Sequence, residues 1–158
     1  MKNKVINWIA GILIIILAVS SVFLMTTLFI RREELRKQKQ EKLYEALKGD
    51  ISYYFGIDAP NDIETVFHYF EGFQDWDKYT CYKLSTYPTE WLEENSFIEG
   101  PEDHIKYHVS LLYDWKSNPI PDEYKIDFDK KYYAKSNGYR FLVFSPDNLM
   151  LALYVFTM

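Results

Sequence analysis

Between Val5 and Ile30 the chain carries no charged residue, and its only polar interruptions are Asn7, Ser20, Ser21, Thr26 and Thr27. No other feature limits the possible folds so strongly. A helix over this run rises about 39 Å, against a hydrocarbon core of about 30 Å. It can therefore cross a bilayer with some tilt. Trp8 sits where an interfacial aromatic anchor belongs. The competing reading is a cleaved signal peptide, with Lys2 and Lys4 as its basic start and Ala18-Val19-Ser20 as a small-residue cleavage site. A secretory core normally ends after about 7–15 residues. This one continues through Val22-Phe23-Leu24-Met25 to Ile30, which predicts a retained anchor over residues 1–30.

Charge divides sharply after the anchor. Residues 1–49 hold nine Lys/Arg and four Glu, a net of +5, whereas residues 50–158 hold nine Lys/Arg and nineteen Asp/Glu, a net of −10. The basic residues from Arg31 to Lys42 lie where lipid headgroups would meet them, so residues 31–42 read as a membrane-surface collar. The acidic remainder repels nucleic acid, which is excluded as a partner, and favours a basic protein or a cation. The plainer reading is that acidity keeps an aromatic-rich domain soluble. Cys81 is the sole cysteine, so no internal disulfide framework exists.

Residues 31–49 contain good helix formers and no proline, which predicts a helical stalk continuing from the anchor. Glu33 stands four before Lys37, a favourable helical pair, and Gly49 reads as the stop. The domain is then expected over 50–158. Its 13 Tyr, 9 Phe and 3 Trp suffice for a core and point to sheet. Residues 63–70 read as a strand, although Ile63, Val66, Phe67 and Phe70 also fit a helical stripe. A hairpin loop is expected at Glu71 to Asp75, followed by a strand over 77–85. Pro88 to Asn95 predicts a short helix, and a second should start at Gly100-Pro101-Glu102-Asp103 with Ile105, Val109 and Leu112 on one face. The prolines between Ser117 and Pro121 break the chain, and an edge strand is expected near 131–134. Strands over 140–145 and 149–156 flank the turn Ser145-Pro-Asp-Asn148, with Gly138 at the start. Both are apolar at odd and even positions, so either both faces are covered or one is an adhesive surface. The predicted class is α+β: a mostly antiparallel sheet of four to five strands with short packed helices, preceded by one long transmembrane and stalk helix.

Chemistry is sparsely signalled. His104 and His108 in Asp103-His-Ile-Lys-Tyr-His108 have metal-ligand spacing on a helix, yet Ile105 stands where a zinc hydrolase needs its glutamate. A third ligand would have to come from His68 or an aspartate. The expected outcome is no metal, with His104 and His108 as weak candidates beside the commoner reading of ordinary surface histidines. Cys81 lies in a strand without an adjacent base and reads as a small buried hydrophobe. Glu93-Glu94 and Asp127-x-Asp129 could in principle serve acid–base work or calcium, but they lack the EF-hand pattern and read as solvated acids. No phosphate loop, nucleotide fingerprint or nucleophile elbow is present, so no catalytic residue and no cofactor are expected.

The stretch from Gly72-Phe73-Gln74-Asp75 to Pro88–Leu92 resembles small membrane-tethered or secreted bacterial proteins of unassigned function, which implies a fold shape at most. The layout resembles that of membrane-anchored immunity proteins for interbacterial toxins, which pair one N-terminal helix with a small α+β domain. That likeness is architectural, with no motif behind it. Together these readings predict a single-pass, non-enzymatic binding domain, of immunity or inhibitory type, for a basic protein partner. The alternatives are an envelope sensor for a small molecule and a metal-dependent enzyme using His104 and His108. Basic-residue counting puts the domain in the cytoplasm, whereas the short Met-Lys-Asn-Lys start suits an outward-facing signal-anchor; both topologies stay open.

Overall fold

The computed structural model describes residues 2–71, 77–100, 103–114 and 120–157; for residues 2–7 and 9–15 it describes the backbone alone. Two compact units emerge, Met1–Lys42 and Leu43–Met158. Helix α1 covers Lys2–Phe55.

In the first unit, every described side chain from Ile16 to Arg32 is exposed. The hydroxyls of this stretch bond back to their own helix: Ser20 to the Ile16 carbonyl at 2.7 Å, Ser21 to Ala18 at 2.8 Å, Thr26 to Phe23 at 2.9 Å and Thr27 to Phe23 at 2.8 Å. Among the described residues no helix is long and apolar enough to cross a membrane. The side chains of 5–7 and 9–15 in the expected span lie outside that set. Glu33 pairs with Arg36 at 2.8 Å, one position earlier than the Lys37 expected from an i, i+4 spacing. The Arg guanidinium reaches back across one turn as readily as the ammonium reaches across the next.

In the second unit the last turns of α1 pack on a sheet. The expected stop at Gly49 is overturned, because the helix runs on to Phe55. Gly49 faces solvent, so its helix penalty of about 1 kcal/mol stands alone. Leu47 and Ile51 on either side of it are buried, and each such burial is worth about 1.5–3 kcal/mol. The gain exceeds the penalty. Termination falls instead at Gly56, whose φ of +66° closes the last turn by donating its N–H to the Ser52 carbonyl at 2.8 Å.

The strands are β1 (Ile63–Glu71), β2 (Asp77–Leu84), β3 (Ile98–Glu99), β4 (Tyr133–Ser136), β5 (Arg140–Ser145) and β6 (Met150–Phe156). Among the described residues the sheet therefore has six strands rather than four or five, in the order β1-β2-β6-β5-β4-β3, with every pair antiparallel. The added strand, β3, is a two-residue edge that pairs with β4. The edge strand expected near 131–134 forms two residues later as β4, and it is not an edge, because β3 and β5 pair with it on either side. The β1 run resolves as a strand, with an irregularity between Thr65 and Phe67 that breaks simple alternation. The β1–β2 connection at 72–75 lies outside the described residues, as do 101–102 before α3 and 117–119 in the proline break.

Both faces of the sheet are covered, which explains the unbroken apolar runs of β5 and β6. On one face, Tyr82, Leu84, Leu142, Phe144, Leu151, Leu153 and Val155 pack with Ile51 of α1 and Leu92 of α2 (Thr89–Glu94). On the other, Tyr79, Cys81, Phe141, Val143, Ala152 and Tyr154 pack with Ile105, Val109 and Leu112 of α3 (Asp103–Asp114), and with Ile120, Ile126 and Tyr132. Polar clasps fix the α1 side. Tyr82 donates its hydroxyl to the Leu47 carbonyl at 2.7 Å, Thr65 donates to Tyr44 at 2.9 Å, and Lys78 pairs with Asp50.

Candidate functional site

The antiparallel register brings three strand ends together at one end of the sheet. Asp77 at the start of β2 pairs with Phe156 at the end of β6, and Arg140 at the start of β5 pairs with Val155. The ladder extends one step further, because the Phe156 N–H donates to the Tyr139 carbonyl at 3.0 Å. Gly138, at φ +65°, turns the chain so that Tyr139 reaches this end of the sheet. Helix α3 then lays His108, Leu111 and Asp114 alongside. The burial of Ile105, Val109 and Leu112 sets the rotation of that helix.

The result is an open cleft of about 470 Å³, lined by Asp77, His108, Leu111, Asp114, Tyr139, Phe156 and Thr157. His108 is its hub. Its ring lies 5.5 Å from Tyr139, nearly perpendicular, 6.0 Å from Phe156, and 5.9 Å from Phe141 in a near-parallel stack. Leu111 and Tyr139 remain 54% and 47% exposed, so the aromatic wall is accessible. Among the described lining residues there are two carboxylates and no Lys or Arg.

The histidines highlighted by spacing share a face of α3, and both rings rest near Phe141, that of His104 at 5.6 Å. The third ligand considered, His68, is on the opposite side of the sheet. Its Nδ1 is hydrogen-bonded at 3.0 Å to Thr80 Oγ1, and burial together with nearby Lys78 holds its pKa below the usual histidine value. Among the described residues, no group of three or more His, Cys, Asp or Glu is arranged to hold a metal ion. Cys81 is fully buried, and burial pushes its thiol up to about 12. Asp129 pairs with Lys106 at 2.6 Å, and its N–H donates to Asp127 at 3.0 Å. Glu93 and Glu94 are exposed at the end of α2.

A second hollow of about 680 Å³ lies between residues 58–62 and 86–91. It is organised by Asp62, which accepts hydrogen bonds from the Ser85 and Thr86 N–H groups and hydroxyls at 2.8–3.1 Å. Partial burial raises the Asp62 pKa, but these hydrogen bonds outweigh it and hold the carboxyl below its usual value. This latch ties the start of β1 to the end of β2. In the core on the α3 side of the sheet, the hydroxyls of Tyr113 and Tyr154 share a hydrogen bond, and Tyr113 also accepts the Ile126 N–H at 3.0 Å. Burial pushes the Tyr113 phenol up to about 12.

Of the cleft residues, sequence reasoning picked out His108 alone, and for metal chemistry. Leu111 and Asp114 follow His108 at three-residue steps along α3, whereas Asp77, Tyr139 and Phe156 come from separate segments that the strand register unites. The doubly apolar β6 was the nearest signal. No family model matches this chain, and neither a curated protein nor a solved structure matches it.

Proposed function

We propose that the chain is a single-pass, membrane-anchored, non-enzymatic binding protein of inhibitory or immunity type, whose acidic domain receives a basic protein partner at the aromatic cleft. The observation carrying this reading is the cleft itself: aromatic rings and two carboxylates on a segment, 50–158, of net charge −10. Aromatic side chains supply contact area, and the negative field draws a basic partner into register. The uncharged run Val5–Ile30 supports the anchor. So does the outward-facing apolar surface from Ile16 to Ile30, whose hydroxyls satisfy themselves within the helix, the arrangement a hydrocarbon environment demands. Tethering confines the domain near other membrane-associated proteins and raises its effective concentration there.

The test is co-purification of the full chain from its own membranes in mild detergent at low ionic strength. The expected result is a stoichiometric basic protein that elutes as salt rises from about 0.05 to about 0.5 M, where screening shortens the reach of exposed charges. A stoichiometric partner that is acidic, or one indifferent to salt, would contradict the reading. A second reading, a small-molecule sensor, is favoured by the cleft volume, which lies within the range of about 300–1,000 Å³ typical of ligand pockets. Recovery of a tightly held small molecule without a protein would select it.

A further inference from the structure

We infer that the cleft seats an arginine side chain presented by the protein partner. This rests on the reading above and names the chemistry of its site. Three features of the cleft act together. The exposed face of Tyr139 and the rings of His108 and Phe156 form a wall on which a flat cation can stack. Leu111, exposed beside them, offers an apolar strip for the aliphatic stem of a long basic side chain. Asp114 places a carboxylate on the same lining, where a guanidinium can be paired.

Arginine satisfies all three requirements at once. Its planar, weakly hydrated head stacks on aromatic faces and forks toward carboxylates. The lysine ammonium is a strongly hydrated point charge that gains less from a flat wall. Among the described residues no group of three or more His, Cys, Asp or Glu is arranged to hold a metal ion. The overall acidity of the domain adds long-range attraction for a basic protein surface.

The test uses the full chain in detergent micelles, with N-acetyl-arginine amide as the probe and ring signals of the aromatic residues as the readout. Saturable shifts are expected at His108, Tyr139 and Phe156. The citrulline analogue, equally long and planar but neutral, should bind about tenfold more weakly or worse, and the lysine analogue several-fold more weakly. Asp114→Asn and Tyr139→Leu should each weaken binding about three- to tenfold, with the unfolding midpoint unchanged as the control for folding. An equal response to citrulline or lysine overturns the assignment. So do shifts confined to Tyr87 and Trp91 at the other hollow, or no response at the cleft. If a basic protein co-purifies but the arginine probe fails, the arginine assignment alone falls. If the probe binds but no basic protein co-purifies, the partner reading falls and the cleft is a small-cation site.

Discussion

His68 carries the residue-scale question of how the domain responds to acid. It is half-buried beside the Lys78–Asp50 pair and bonded to Thr80, and its pKa is lowered chiefly by burial and then by Lys78, with Asp50 opposing. A lowered folded-state pKa means that the folded chain binds fewer protons than the unfolded chain just below pH 6.5, the ordinary histidine value. Stability from this site is therefore fully present above about pH 6.5 and is lost as pH falls toward the lowered value. Urea midpoints at about pH 7.5 and 5.5 should differ more for the wild type than for His68→Asn; equal differences would remove His68 from the account. Cys81 gives a second expectation at this scale. Its buried thiol, with a pKa of about 12, should resist maleimide in the native chain and react only when the domain unfolds. Prompt native labelling would contradict its burial. Cys81 was legible in advance, because a strand position without a neighbouring base has little to do but pack. The cleft was not, because nothing in the local sequence of Asp77, Asp114 or Tyr139 reveals that they meet.

Elements follow burial more closely than local punctuation, and two glycines show it. Gly49 sits within α1 and faces open space, so Gly49→Ala should stabilise the domain by about 0.5–1 kcal/mol. Gly56 ends the same helix at φ +66°, so Gly56→Ala should destabilise it by about 1 kcal/mol despite equally open surroundings. Chemical denaturation of both variants would read the opposite signs, and the same sign for both would undo this account of the helix end. Ile51→Ala should cost about 2–5 kcal/mol, because it opens a cavity where α1 meets the sheet. Most strands were legible from β-branched and aromatic runs bounded by turn residues. The two-residue β3 has too few positions to display a period, and its pairing depends wholly on β4 being present. Gly49 misled because a local stop signal says nothing of the tertiary burial of Leu47 and Ile51.

The proposed function joins an anchor to an acidic receptor domain, and the anchor can be tested on the whole chain. The full chain should stay in the membrane pellet after alkaline carbonate extraction, and a chain lacking residues 1–30 should be released. Release of the full chain would remove the anchor. Protease added to intact cells, with a tag after Met158, then decides which side the domain faces. Charge division and fold class were legible at this scale because composition and apolar runs are properties of long stretches. The cleft was not, because it depends on which strand ends meet. The most direct test replaces Tyr139 with a photo-crosslinking aromatic in the full chain in cells, with Tyr53 as a control, since it is 81% exposed on the helix that packs on the other face. An adduct with one basic protein is expected from position 139, none from position 53, and loss of the adduct when Asp114→Lys is added. An adduct from position 53 alone, or one at 139 that survives the charge reversal, would contradict the proposed function.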